Sequence, residues 1–309
     1  MSIRTVIPKQ SKLRRGGIEQ SALPYILIAP TVLLILAIML IPIMSVFGLS
    51  LQDYSMANFF HRTFVGFDNF REIFSGDRLF FHSFQVTLNW VVAEVSLQLI
   101  FGLLIALMLN QAFRCRGLFR VVIFSPWAVS GVLTTMLWIL LYNENIGVIN
   151  DIFKRLGLID ANIAWLANLN TVFGAVVVAE LWRGVPFFAI TLLAALQSIP
   201  NEIYESCAVD GCGAFRKFFH ITLPFLKDSI VLATLLRCIW EFNSIDMIYT
   251  MTKGGPLNLT TTLSVYLMQT AIVDNNYGYG AALAVISFLF LLIFAAFYLS
   301  LSKYGEADE

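Results

Sequence analysis

Charge is scarce in this chain of 309 residues: only 13% are Asp, Glu, Lys or Arg, and 20 basic residues balance 20 acidic ones. So thin and balanced a charge supplies no basic face for nucleic acid and no acidic solvating tail. Histidine is limited to His61, His82 and His220, and cysteine to Cys115, Cys207, Cys212 and Cys238. The histidines are scattered and no second cysteine pair accompanies Cys207 and Cys212, so neither a metal site nor a disulfide framework is expected. GxxxxGK[ST], GxSxG and strand-linked GxGxxG patterns are missing too. No enzyme chemistry and no bound cofactor are expected on this chain, and any ATP must be handled by another one.

What fills the sequence is apolar: 58% of residues are hydrophobic, 27 are Phe, and the mean hydropathy is +0.77. Crossing a bilayer takes roughly 20 mainly apolar residues. Six runs qualify, at about Tyr25–Leu49, Val86–Leu109, Phe119–Tyr142, Val172–Leu196, Ser229–Met251 and Gly278–Leu301. The fold class expected is therefore all-α, a polytopic integral membrane protein forming one domain over residues 1–309. The first run, with Pro30 and Pro42 and no small-residue cleavage pattern after it, reads as a span rather than a signal peptide.

Orientation follows the basic residues. Arg4, Lys9, Lys12, Arg14 and Arg15 lie in a tail at about 1–23, and Arg114, Arg116 and Arg120 crowd the connection between spans two and three. Placing these ends inside gives about 12 Lys/Arg on the cytoplasmic side against about 6 outside. Both termini and the connection after span four then face the cytoplasm, in a bacterial or archaeal cytoplasmic membrane. The longer connections at 52–85, 143–171 and 252–277 face outward, where a partner can dock.

The cytoplasmic connection Ser198–Pro224 is the most informative stretch. Pro200 and Asn201 suit a helix start, Glu202 and Glu205 sit near its positive end, and Gly211 and Gly213 can stop it. A short second helix, about Ala214–His220, is expected next. Ile203, Ala208, Val209, Phe215, Phe218 and Phe219 leave an apolar surface on a segment too short to bury it alone. A capped, solvated surface helix is the ordinary alternative.

Glu205-Ser206-Cys207, three residues ending at Asp210, Gly211, nine more residues, and then Ile221-Thr222-Leu223-Pro224 resemble the EAA loop of ABC-importer permeases. Ser206 and Cys207 stand where that pattern has two alanines. Val65–Phe70, Gly102–Leu107, Gly117–Arg120 and Thr252–Pro256 extend the similarity to the binding-protein-dependent sugar permeases over about Leu23–Tyr304. The resemblance implies a coupling helix seated on an ATPase, with Glu205 in polar contact and Gly211 making the turn. It also implies a second homologous permease as heterodimer partner, two ATP-binding subunits holding ATP and Mg, and an extracytoplasmic sugar-binding protein.

An ionisable side chain in mid-membrane costs roughly 2.5–3.5 kcal/mol on insertion scales, so such residues should face protein or a wet cavity. Glu94 in span two, Glu180 and Arg183 in span four, and Arg237 and Glu241 in span five are of this kind. Glu180, Arg183 and Gly184 share one helix face, as do Arg237, Glu241 and Ser244. By the resemblance these six positions contact sugar in maltose-transporting relatives, where mostly small or neutral side chains occupy them. Trp182, Trp240, Phe187 and Tyr249 can supply apolar faces to a sugar ring, and Asn243 and Asp246 can border the cavity. Two alternatives stand beside this reading: ion pairs that only neutralise each other within each helix, and a charge relay in an ion-coupled transporter. Within the importer reading, glycerol phosphate or a polyol rivals a di- or oligosaccharide as cargo.

Overall fold

The computed structural model describes residues 23–56 and 62–302. The basic tail and the segment beyond Ser302 lie outside the described residues. Two compact units divide the chain, Met1–Gly48 and Leu49–Glu309.

The described residues of the first unit lie in one long apolar helical run, α1 (Leu23–Ile35) and α2 (Ile41–Ser50) joined by a π-turn over Leu36–Leu40; the last two residues of α2 belong to the second unit. The π-turn sits directly before Pro42. A proline ring crowds the carbonyl four residues back and offers no N–H, and the wide turn, closed by the Ile41 N–H on the Leu36 oxygen, makes room for it.

The second unit opens with a two-residue ribbon, β1 (Gln52–Asp53) against β2 (Thr63–Phe64), and a short helix α3 (Asp68–Gly76). Asp77 then caps α4 (Arg78–Asn110), accepting from the Phe80 N–H at 3.0 Å. The same carboxylate accepts from the Tyr266 and Tyr279 hydroxyls at 2.7 Å each. Burial pushes the Asp77 carboxyl up, but these hydrogen bonds and those from backbone N–H groups outweigh it and hold the group below its ordinary value.

The third span departs from expectation. In place of one helix over 119–142 there are two, α5 (Arg116–Ala128) and α6 (Gly131–Leu141), bent 98° from one another. Pro126 near the end of α5 and the extended Val129 and Ser130 explain the break. The pair nonetheless crosses. With its side-chain oxygen turned toward the donors, Gln197 at the far end of α8 (Val172–Gln197) accepts from Arg116 and Arg120 at 3.1 and 3.0 Å. At the other end, the Tyr142 hydroxyl donates to the Ala175 carbonyl near the start of α8 at 2.9 Å. Five helical runs among the described residues are long and apolar enough to span, six counting this bent pair.

α4 and α8 run parallel: Gln98 faces Gly184, and four residues further along both helices Gly102 faces Phe188. A Cβ on Gly102 would strike Phe188, so the backbones touch there. Parallel second and fourth spans require the chain to return between them, which is the crossing made by α5 and α6. Beyond α8 come α9 (Asn201–Val209) and α10 (Ala214–Lys217). The short second helix does not end at His220. It passes through a π-turn at Phe218–Thr222 into α11 (Leu223–Phe242), and the run continues through α12 (Asp246–Thr252), interrupted at Asn243–Ile245. Pro224 follows this π-turn just as Pro42 follows the first.

Thr262 caps α13 (Leu263–Met268), Thr261 bonds back to the Gly254 carbonyl at 2.9 Å, and α14 (Tyr277–Ser302) completes the fold. One apolar cluster includes Leu109, Leu192, Leu196 and Leu226, and a second Trp90, Val176, Met247 and Val265. Between them lies a polar layer.

Candidate substrate cavity and coupling loop

Three helices build the polar layer. Trp90, Glu94 and Gln98 stand at i, i+4 and i+8 along one face of α4, Glu180 and Arg183 come from α8, and Arg237 and Glu241 from α11. Arg183 grips Glu180 with Nε at 3.1 Å and Nη2 at 2.9 Å. Arg237 is the hub. Its Nη2 lies 3.1 Å from Glu180 and 2.7 Å from Glu241, and its Nε donates to the Gln98 oxygen at 2.6 Å. The Gln98 amide donates to Glu94 at 2.8 Å and to Glu241 at 3.1 Å, and the Trp90 indole donates to Glu241 at 3.0 Å.

The ion pairs within α8 and within α11 are thus both present, but Arg237 and Gln98 join them into one network across three helices. Glu94, Glu180 and Glu241 are at most 2% exposed and Arg237 is 7% exposed, so removing any partner leaves charge in a dry place. Three carboxyl groups face two guanidinium groups, and Glu94 Oε1 has no hydrogen-bond partner. Gly184 lies beneath this layer, where a Cβ would strike the Gln98 amide and the Arg237 guanidinium. Its lack of a side chain is what lets the network close.

A cavity of about 220 Å³ opens on the network, lined by Glu180, Arg183, Arg237, Glu241 and Ser244 together with Trp240, Asn243, Ile245 and Asp246. Of the six expected positions, Gly184 alone is off its wall. Two helix breaks converge here. The α11–α12 interruption supplies Asn243, Ser244 and Ile245, and the α5–α6 break brings Gly131 so close that a Cβ there would be 3.1 Å from Arg183 Nη1. Among the proposed aromatic faces only Trp240 lines the cavity, with Phe187 behind it at a ring distance of 5.2 Å. Trp182 instead packs on Trp138, and Tyr249 packs on the apolar cluster of Trp90 and Met247. Sequence reasoning missed Gln98 and Trp90. Their spacing four residues either side of Glu94 was the available signal.

The loop at the other end of α8 has a definite geometry. Gly211 adopts φ +72°, the Cys212 N–H bonds to the Cys207 carbonyl at 2.9 Å and the Gly211 N–H to the Ala208 carbonyl at 3.1 Å, which together form a Schellman cap. Glu205, Ser206 and Asp210 are exposed and Cys207 is buried. Val209 and Phe215 are 88% and 83% exposed and Phe219 is exposed beside them, whereas Ile203 and Phe218 are half-buried and leave the expected apolar surface. Tyr204, unremarked in the sequence, shares a hydrogen bond of 3.2 Å with Thr222, and the Lys217 amine lies 5.4 Å from the Tyr204 ring centre. They clamp α9 to the root of α11, where Ile221 and Leu223 are half-buried and Pro224 is exposed.

The stretch that holds this loop and the two helices of the polar site matches a known family: residues 98–303 fit the model of the binding-protein-dependent transport system inner membrane components. The chain belongs to that family. This inner membrane component is 34% identical over 287 residues to the trehalose/maltose transport system permease protein of Thermococcus litoralis, covering 93% of this chain and 95% of the relative. It is 33% identical to a diacetylchitobiose uptake system permease protein of Streptomyces coelicolor, covering 93% and 88%. Its fold is similar to that of a bacterial ABC transporter that imports the acidic polysaccharide alginate, with a TM-score of 0.80, 22% identity and coverage of 94% and 98%. The family is one of multi-pass permeases rather than enzymes, as the missing catalytic motifs led us to expect.

Proposed function

We propose that this permease moves a di- or oligosaccharide into the cytoplasm through the cavity between α8 and α11, driven by ATP hydrolysed on partner subunits. The observation that carries the reading is one of continuity: the helical run Ala214–Thr252 begins in the exposed loop and bears Arg237 and Glu241 at the cavity. The relatives' printed cargoes, trehalose or maltose and diacetylchitobiose, are all carbohydrates, which supports a sugar here.

A sugar hydroxyl both donates and accepts, so it can insert between a guanidinium and a carboxylate and leave neither unpaired. Arg183, the more exposed arginine, meets the cargo first, with Glu180, Arg237, Glu241 and Ser244 around it and Trp240 against the ring face. Gly184 holds open the place of Gln98 and Arg237. On the cytoplasmic side Val209, Phe215 and Phe219 enter a groove of the ATPase and Glu205 makes the polar contact beside them. Gly211 sets the turn, and the Tyr204–Thr222 clamp passes the motion into α11.

The working assembly pairs this single transmembrane domain with a second, similar permease. Two ATP-binding subunits holding ATP and Mg sit inside, and a sugar-binding protein delivers cargo outside. Both termini are cytoplasmic, in a bacterial or archaeal cytoplasmic membrane. The test is uptake and substrate-stimulated ATPase activity in reconstituted complexes carrying Arg183→Ala or Glu241→Ala. Both activities fall if these residues bind cargo. Normal uptake by a fully assembled variant removes that residue from the site.

A further inference from the structure

The Schellman cap that ends α9 brings two cysteine residues together. In this motif the third residue from the helix end and the second residue past it meet across the left-handed glycine, and two apolar side chains ordinarily fill the contact. Here they are Cys207 and Cys212, tied by the 2.9 Å bond from the Cys212 N–H to the Cys207 carbonyl. Cys207 is buried and Cys212 half-exposed, while Cys115 lies at the start of α5 and Cys238 is buried within α11. All four are free thiols.

We infer that Cys207 and Cys212 form a dithiol modification site, which small-molecule disulfides convert to a disulfide within the loop. Cys212, the more accessible, attacks as thiolate one sulfur of the small disulfide, forming a mixed disulfide and releasing one small thiol. Cys207 then gives up its proton and attacks the Cys212 sulfur, which expels the second small thiol. The two cysteines lose two protons and two electrons, and the small disulfide is reduced to two thiols. The order is set by exposure: half-exposed Cys212 meets the small disulfide first, and buried Cys207 is reached only by its neighbour in the second, intramolecular step. Closing this ring fixes the Gly211 turn between α9 and α10. The chemistry is independent of the transport reading, on which only its consequence for coupling rests.

The experiment treats membrane vesicles containing the full chain with oxidised glutathione, traps remaining thiols with N-ethylmaleimide and maps the cysteine peptides by mass spectrometry. A Cys207–Cys212 link that dithiothreitol reverses is expected. Ring closure should be at least about tenfold faster in the folded chain than in the chain unfolded in urea, because the cap holds the two cysteine residues together. Cys207→Ser should stop at a mixed disulfide on Cys212. Unmodified cysteines, a persistent glutathione adduct on the unsubstituted chain, a bridge to Cys115, or equal rates in folded and unfolded chains would each overturn the inference.

Discussion

Arg237→Met is the most informative perturbation of the polar layer. Methionine keeps an unbranched apolar stem like that of arginine but removes the cation that touches Glu180, Glu241 and Gln98 together. Breaking one partner from a buried ion pair costs about 3–5 kcal/mol, because the survivor stays charged and dry. Glu180 retains its two bonds from Arg183, whereas Glu241 retains only the Trp90 and Gln98 N–H groups, so the loss falls mainly on Glu241 and should lie near about 3 kcal/mol. Removing that charge as well, in Arg237→Met with Glu241→Gln, should restore about 2 kcal/mol. Equilibrium unfolding in detergent micelles, followed by tryptophan fluorescence, measures both. A single variant within about 0.5 kcal/mol of the parent, or a double variant equal to the sum of its singles, would refute the network as described.

Gly184→Ala should destabilise by about 1–3 kcal/mol and reduce uptake, because the added methyl collides with Gln98 and Arg237; thermal unfolding and transport assays check it. Gly211→Ala meets no neighbour but must adopt φ +72°, at about 1–2 kcal/mol, and should lower uptake per ATP hydrolysed, with Gly211→Asn milder. Asp77 gives an acid-side test. Its folded carboxyl lies below the ordinary 3.8, so its stabilisation is complete above that value and fades as pH falls through the folded one. Comparing unfolding midpoints at about pH 5 and about pH 3 should show a smaller drop in Asp77→Asn than in the parent.

Much of this architecture was legible because hydrophobic length is a strong signal in a bilayer. The runs at Val172–Leu196 and Gly278–Leu301 agree with α8 and α14 to within a residue or so. The bend at Val129–Ser130 was missed because hydropathy over Phe119–Tyr142 does not register backbone direction; Pro126 and the Ser130-Gly131 pair were the available signal. The helix ends in the Ser198–Pro224 connection were legible because Pro200 and Gly211 act through backbone geometry, which is local. At the cavity, charges on one helix face could be grouped by periodicity, but joining α4 to α8 and α11 depends on packing at Gly102 and Gly184. Gln98 was overlooked for that reason: a neutral amide in a span looks ordinary until its neighbours are known.

The central claim is that cargo movement through this chain is powered by ATP bound to its partners. Its most direct measurement is uptake of radiolabelled disaccharide by proteoliposomes that contain the assembled complex and the binding protein, with ATP sealed inside and no ion gradient. Uptake that requires both internal ATP and the binding protein, and is insensitive to an uncoupler, is the predicted result. Uptake driven by a proton or sodium gradient without ATP would contradict the account.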